Sequence, residues 1–367
     1  MCYFGDFFMT SQITEPKSLC ILRLSAIGDV CHAVAMVQQI QKHYPNMPIT
    51  WVIGKVEANL LAGLSGVEFI IFDKKAGWKG YLALKQQLKN RHFDILLHMQ
   101  VALRASIASL FIPAKIKIGF DKQRAKEGQW LFTNKKITAQ QNPHVLDGFM
   151  AFAQAIGVKT NKLSWQMPMT EQDKNWASKQ LLTEKPIAVI SPAASKAERN
   201  WHAQGYAAIA DYLIECGFSV VLCGGPTIME QQLAEKIIQQ TNGEINNLVA
   251  KTTLKQLLCV LNIAHLVIAP DTGPAHMAVT VKTPVIGLYA HNNPQRTGPY
   301  LYSKYVVSYY QQAVEQQYGK PLAQLPWGIR AKGEDLMHNI TVEQVKEKII
   351  QLLNDHYPEQ LKRTNMC

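Results

Sequence analysis

The sequence predicts an α/β protein in two halves, each a mostly parallel sheet covered by helices. Three observations carry that prediction. Short apolar runs alternate with amphipathic stretches along most of the 367 residues. Tight loops, several containing glycine, follow the apolar runs. The alternation stops in a polar stretch at 159–170 that carries Pro168, and then restarts.

The first half opens with an apolar run at 20–24, a loop at 25–29 and a helix at 30–43 closed by Tyr44-Pro45. Further strands are expected at 49–53, 69–72 and 94–98. Helices are expected at 81–90 and 144–156, the second stopped by Gly157. In the second half strands fall at 186–191, 219–223, 266–269 and 284–289. Helices fall at 202–216, 228–240, 254–262 and 274–281, with a terminal helix at 341–353. The expected units are a first domain at 17–165, a second at 170–340, and a terminal helix at 341–357 packing back on the first. Two such halves put a cleft between the carboxyl ends of two sheets, where folds of this kind bind ligands.

Composition narrows the function. With 47% hydrophobic and 18% charged residues the chain is globular rather than disordered. No apolar run approaches the roughly 18–20 residues that span a bilayer. No basic stretch precedes Cys2-Tyr3-Phe4, and Asp6 interrupts the apolar residues there, so a cytosolic chain is expected, with 1–16 a loose extension. Lys+Arg number 38 against 27 Asp+Glu, a net +11 that points to an anionic partner: nucleic acid, phosphorylated lipid or a nucleotide-linked substrate. No RNA- or DNA-binding motif accompanies the charge. The seven cysteines contain no Cys-x-x-Cys pair, so they read as reduced thiols packed in the core.

Four stretches carry chemistry. In Ser25-Ala26-Ile27-Gly28-Asp29, Gly28 permits a sharp turn and Asp29 lands at a helix start facing the cleft. The competing reading is an acidic cap that complements the helix dipole. Gly-x-Gly-x-x-Gly is missing, so this is not a dinucleotide fingerprint. The stretch 191–201 holds Ser195, Lys196 and Arg199 after a strand. Either cation suits a phosphate, and the alternative is a solvated loop. In Asp271-Thr272-Gly273-Pro274-Ala275-His276, Thr272 reads as the N-cap and Pro274 suits the first turn. Free N–H groups at such a start bind anions. Gly224-Gly225-Pro226 permits close backbone approach ahead of Met229 and Glu230, although Gly-Gly-Pro is common turn chemistry. Basic and aromatic residues also gather in the first half, among them Lys74, Lys75, Arg104 and Arg124. They suit an acidic acceptor, although singly each reads as a solvated side chain.

In this order, Ser-Ala-Ile-Gly-Asp at 25–29, Ala-Glu-Arg-Asn-Trp at 197–201, Gly-Gly-Pro at 224–226 and Asp-Thr-Gly-Pro-Ala-His at 271–276 resemble family 9 glycosyltransferases, the ADP-heptose:lipopolysaccharide heptosyltransferases. Ile118-Gly119-Phe120-Asp121 and Asn293-Pro294 support the resemblance, which runs from about Leu19 to Leu353. It implies a GT-B fold of two Rossmann-like domains, with donor in the second and an inverting transfer needing no metal or other cofactor. It implies that Asp29 is the general base and that Arg199 stands where the family usually carries Lys. Ala194 and Ser195 take the place of a hydroxyl pair, and Lys196 is a further phosphate cation. Asp271, Thr272, Gly273 and His276 match the diphosphate and sugar motif, and Thr252 falls at the adenine edge. Met229 takes the position of a ribose glutamate, with Glu230 one residue on. Gly28, Gln100, Arg104, Arg124, Lys74 and Lys75 fall on the acceptor side. The implied partners are ADP-heptose and an anionic Kdo-lipid A acceptor, at the cytoplasmic face of an inner membrane that attracts a +11 chain. Another nucleotide sugar, or a non-catalytic nucleotide-binding module, remains open.

Overall fold

Buried apolar strands and the helices that cover them build two lobes in this computed structural model, which describes residues 15–160 and 163–358. The expected extension at 1–16 lies almost wholly outside the described residues. The first lobe carries β1 (Leu19–Leu22), α1 (Ile27–His43), β2 (Ile49–Ile53), α2 (Lys55–Leu61), β3 (Val67–Ile71), α3 (Trp78–Gln87), β4 (Phe93–His98), α4 (Leu103–Leu110), β5 (Ala114–Gly119), β6 (Lys135–Lys136) and α5 (Val145–Ala155). The second lobe follows with α6 (Glu171–Gln180), β7 (Ile187–Ile190), α7 (Ala203–Glu215), β8 (Ser219–Leu222), α8 (Ile228–Gln240), β9 (Ile245–Asn247), α9 (Leu254–Ile263), β10 (Leu266–Pro270), α10 (Gly273–Thr280), β11 (Val285–Tyr289), α11 (Pro294–Thr297), β12 (Val307–Ser308), α12 (Tyr310–Tyr318) and α13 (Val342–His356).

Both sheets are six-stranded and parallel, in the orders β3-β2-β1-β4-β5-β6 and β12-β11-β10-β7-β8-β9. Each places its first strand beside its fourth. That reversal is the switch point at which doubly wound sheets bind ligands. The central strands β1, β2, β7, β10 and β11 are buried along their whole length, as parallel strands covered on both faces must be.

The lobes touch closely. Helix α1 packs on α5 within its lobe and on α10 across the cleft, so it is buried well beyond a single face. The segment after α11 clasps the start of α5: His144 Nε2 hydrogen-bonds the Gly298 carbonyl (3.0 Å) and Tyr300 donates to Asp147 Oδ1 (2.7 Å). The Trp327 indole adds a bond to the Pro143 carbonyl (2.9 Å). The connecting stretch lies along α1, anchored by Trp165, whose indole donates to the Cys31 carbonyl at 2.9 Å.

The terminal helix departs from expectation. Its apolar stripe, Val345, Ile349, Leu352 and Leu353, rests on α7, β11 and β12 of the second lobe rather than on the first. Tyr305 and Lys304 both bond Asp355 (2.8 Å), and Tyr357 donates to the His265 carbonyl (3.0 Å), which hold it there. Cys20, Cys31, Cys216, Cys223 and Cys259 are free and buried, as small core thiols.

Candidate active site

The site begins where β1 ends. The chain turns through Ser25 and Ala26, joined by a cis peptide, and enters α1 at Ile27, three residues earlier than expected. Asp29 therefore sits inside the first turn. Its carboxylate accepts the Ala26 N–H (3.1 Å) and pairs with Arg23, while its side chain stays 27% exposed at the cleft. The side chain thus steadies the helix start, as the capping reading expected, and remains partly open to solvent.

Arg23 escaped the motif reading. Its signal was a single charge inside an apolar strand run. The guanidinium donates to the Met99 carbonyl (2.5 Å) and lies over the Phe149 ring (5.1 Å), fixing the Asp29 partner against the core. Gln100 braces the same loop, its side-chain oxygen accepting the Leu24 N–H at 2.7 Å.

Across the cleft, β10 delivers Asp271 and α10. Asp271 is the hub of the second lobe's pocket. Arg199 Nη1 and His276 Nε2 each lie 3.8 Å from its carboxylate, and Asn292 and Tyr289 hydrogen-bond it. Burial works to raise the Asp271 carboxyl. The neighbouring His276, the Asn292 hydrogen bond and the Arg199 charge outweigh it, leaving the group below its ordinary range. Tyr289 is pushed well up, by burial first and then by the Asp271 charge.

Thr272 occupies the N-cap position of α10, but its hydroxyl makes no capping bond. The sequence expectation of a side-chain cap is corrected here. Residues 271–274 remain half-buried, and the N–H groups of this first turn lack a side-chain partner from Thr272. Pro274 offers no N–H, which leaves the N–H groups of Gly273 and Ala275 free in this turn.

The two motifs meet directly. A Cβ on Gly28 would fall on the His276 imidazole, with Cγ at 3.0 Å and Nε2 at 3.1 Å, and one on Gly273 would meet Ile27 at 3.0 Å. Only glycine at both positions lets the α1 and α10 starts approach this closely. Gly28, expected on the acceptor side, is buried in this contact. His276 Nδ1 is buried without a partner, as are the Arg199 Nε, the Glu230 Oε2 and the His291 Nδ1. Arg199 and His291 line one cavity with Asp271, where a polar ligand would complete their bonding.

The remaining candidates divide. Arg199 also donates to Ser195 (2.8 Å), and exposed Lys196 pairs loosely with Glu198 at 3.4 Å. Ala194, expected among the donor-binding residues, is fully buried, and its N–H is taken by Asn200 (2.7 Å). Asn200 also reaches the Met229 sulfur at 3.1 Å, so Met229 is tied to the 191–201 loop, while the Glu230 carboxylate lies over Gly225. Thr252 stands half-buried ahead of α9, near the Ala250 N–H that bonds the Gly224 carbonyl (3.1 Å). In the first lobe Lys74 lies 3.8 Å from Glu57, and Lys75 and Arg104 are exposed. Arg124 is not free for an acceptor: Asp121 pairs with it and Gln140 accepts from it at 2.8 Å.

Arg296 of α11 is a second residue missed by the motifs, three beyond Asn293. Burial lowers its guanidinium, opposed by the Asp29 and Asp271 charges. Among the described residues no group of three or more His, Cys, Asp or Glu is placed to hold a metal ion.

Comparison with known proteins shows the family and the fold. The sequence model described as glycosyltransferase family 9 (heptosyltransferase) matches residues 81–325. A Haemophilus influenzae protein, lipopolysaccharide core heptosyltransferase OpsX, is 48% identical over 330 residues, 90% of this chain and 95% of the relative. Among solved structures, a family 9 glycosyl transferase of Veillonella parvula superposes with a TM-score of 0.75 at 22% identity, covering 92% of this chain and 97% of that one. Escherichia coli heptosyltransferase WaaC with ADP superposes with a TM-score of 0.71 at 19% identity, covering 91% and 99%. The two-lobed fold is that of these GT-B enzymes, and the chain belongs to glycosyltransferase family 9, the heptosyltransferases.

Proposed function

We propose that this enzyme moves a heptose from ADP-heptose to the Kdo-bearing, lipid A-anchored inner core of lipopolysaccharide, with inversion, without a metal, and with Asp29 as general base. The observation that carries the reading is the contact of Gly28 with His276. It brings the Asp29 loop of one lobe onto the anion-binding start of α10 in the other. The 48% identical relative named as a lipopolysaccharide core heptosyltransferase supports the acceptor, and the neighbour solved with ADP supports the donor.

In this mechanism an acceptor hydroxyl oxygen attacks the anomeric carbon while the bond to the diphosphate breaks. Asp29 takes the hydroxyl proton, a role worth roughly 10²–10⁴-fold. ADP departs with the bonding pair. Arg199, Lys196 and the N–H groups of Gly273 and Ala275 meet its growing charge. Glu230 and Thr252 hold the adenosine end. Gln100, Arg104, Lys74 and Lys75 face the acceptor, which the enzyme meets at the cytoplasmic face of the inner membrane. The tie of Met229 to Asn200 favours a second reading, a different nucleotide sugar in the same pocket.

Asp29→Asn tests the base. Turnover falls at least about a hundredfold while ADP affinity is retained; near-normal turnover rejects the assignment. Activity is also expected to survive a chelator, and loss restored by magnesium rejects metal independence.

A further inference from the structure

The first lobe exposes large apolar side chains on one continuous face. Trp78, Leu82, Leu103, Leu110, Trp130 and Leu131 are each between 48% and 76% exposed. Trp78 and Leu82 lie one turn apart on α3, and Leu103 and Leu110 lie two turns apart on one stripe of α4. The segments adjoin. The Trp78 ring meets Phe111, next to Leu110, with centroids 6.3 Å apart. Tyr81 donates to the Arg104 carbonyl (3.3 Å), and the Leu103 N–H donates to Glu127 (2.6 Å), three residues before Trp130.

Cations surround these tips. Lys75, Lys79, Arg104, Lys122 and Lys126 are exposed, and none forms an ion pair among the described residues. The acids within the same segments, Asp73 and Glu127, accept the backbone N–H groups of Lys75 and Leu103 and are outnumbered by these cations. Exposed Trp and Leu ringed by unneutralised Lys and Arg is the chemistry of an anionic lipid–water boundary, where rings and aliphatic tips enter the headgroup layer and cations meet phosphates. The face also adjoins the acceptor side of the cleft, since α4 starts three residues after Gln100.

We infer that the α3–α4 face, with the 129–131 turn, docks on an anionic bilayer. Deepening the proposed function and resting on its lipid-borne acceptor, this names the surface that meets the lipid. No helix among the described residues is long and apolar enough to cross a membrane, so the contact is a surface one.

The test is co-sedimentation of the full-length protein with phosphatidylcholine vesicles, with and without phosphatidylglycerol. The wild type binds the anionic vesicles. Leu82→Ser with Leu110→Ser weakens that binding about tenfold or more at low and high salt, while Lys79→Glu with Lys126→Glu weakens it by a similar factor at low salt only. Turnover on a de-acylated, soluble acceptor is unchanged by the leucine pair, and turnover on the vesicle-borne acceptor falls. Vesicle binding needs no substrate, so it holds or fails independently of the acceptor assignment. Absence of wild-type binding, or variants that bind as well as wild type, overturns the inference. So does light scattering that shows a wild-type dimer broken by the leucine pair, because the face would then join two copies.

Discussion

Gly28→Ala tests how the two lobes are joined. The new methyl would overlap the His276 ring, with Cγ only 3.0 Å and Nε2 3.1 Å from the ideal Cβ position. His276 cannot swing aside freely. It is 7% exposed, the His32 ring stands 4.8 Å away, and Asp271 lies 3.8 Å from Nε2. Overpacking of this kind costs about 1–3 kcal/mol, which for a domain of this size lowers Tm by about 2–10 °C. Relief comes by moving α1 away from α10. A displacement of about 1 Å between base and diphosphate pocket is enough to cost roughly a hundredfold in turnover. The assay pairs thermal denaturation with initial rates in the single mutant and in Gly28→Ala/His276→Ala, which removes the obstructing ring. With His276→Ala measured alongside, the double mutant should lose less stability than the two single mutants' losses summed, because they share one contact. A single mutant with wild-type Tm and turnover would refute the packing of α1 on α10 and the site built on it.

Arg199→Ala should weaken ADP binding about 10- to 100-fold by calorimetry, the loss of a charge-assisted phosphate contact; unchanged affinity counts against that role. Stability should also depend on pH through His144. Burial is the main cause holding this imidazole down at about 4, with the Gly298 carbonyl opposing it. Between pH 6.5 and 4 the unfolded chain therefore binds a proton that the native protein does not. This contribution is complete above pH 6.5 and shrinks as pH falls toward 4, by about 3 kcal/mol in all. His144→Asn keeps a capping side chain without the titration. Its Tm should fall less steeply over that window, and parallel curves would sink the assignment.

Much of the architecture was legible because central strands and amphipathic helices announce themselves. The strand at 49–53 and the helix at 228–240 fall where the pattern placed them. The elements it lacked are those whose burial the sequence does not advertise. Helix α6 buries only Ala177 and depends on the Thr170 cap, whose hydroxyl accepts the Asp173 N–H at 3.1 Å. Strand β5 alternates lysine with isoleucine near the sheet's edge, and β6 and β12 are two-residue edge strands. The site was legible where a strand end delivers a short motif, as at 25–29 and 271–276. It was not legible where a charge chooses its partner in three dimensions. Arg124 turns inward to Asp121, Arg23 takes Asp29, and the terminal helix shows an apolar stripe without showing what the stripe covers.

The two sheets share one strand order, and each delivers its motif from the carboxyl end of a central strand, β1 in one and β10 in the other. Away from the Gly28–His276 contact, loops on one sheet can be rewritten without disturbing the other, because each is seated on its own buried strands. A lineage built on this plan can therefore change what it gives and what it gives to in separate steps, keeping a working half while the other drifts.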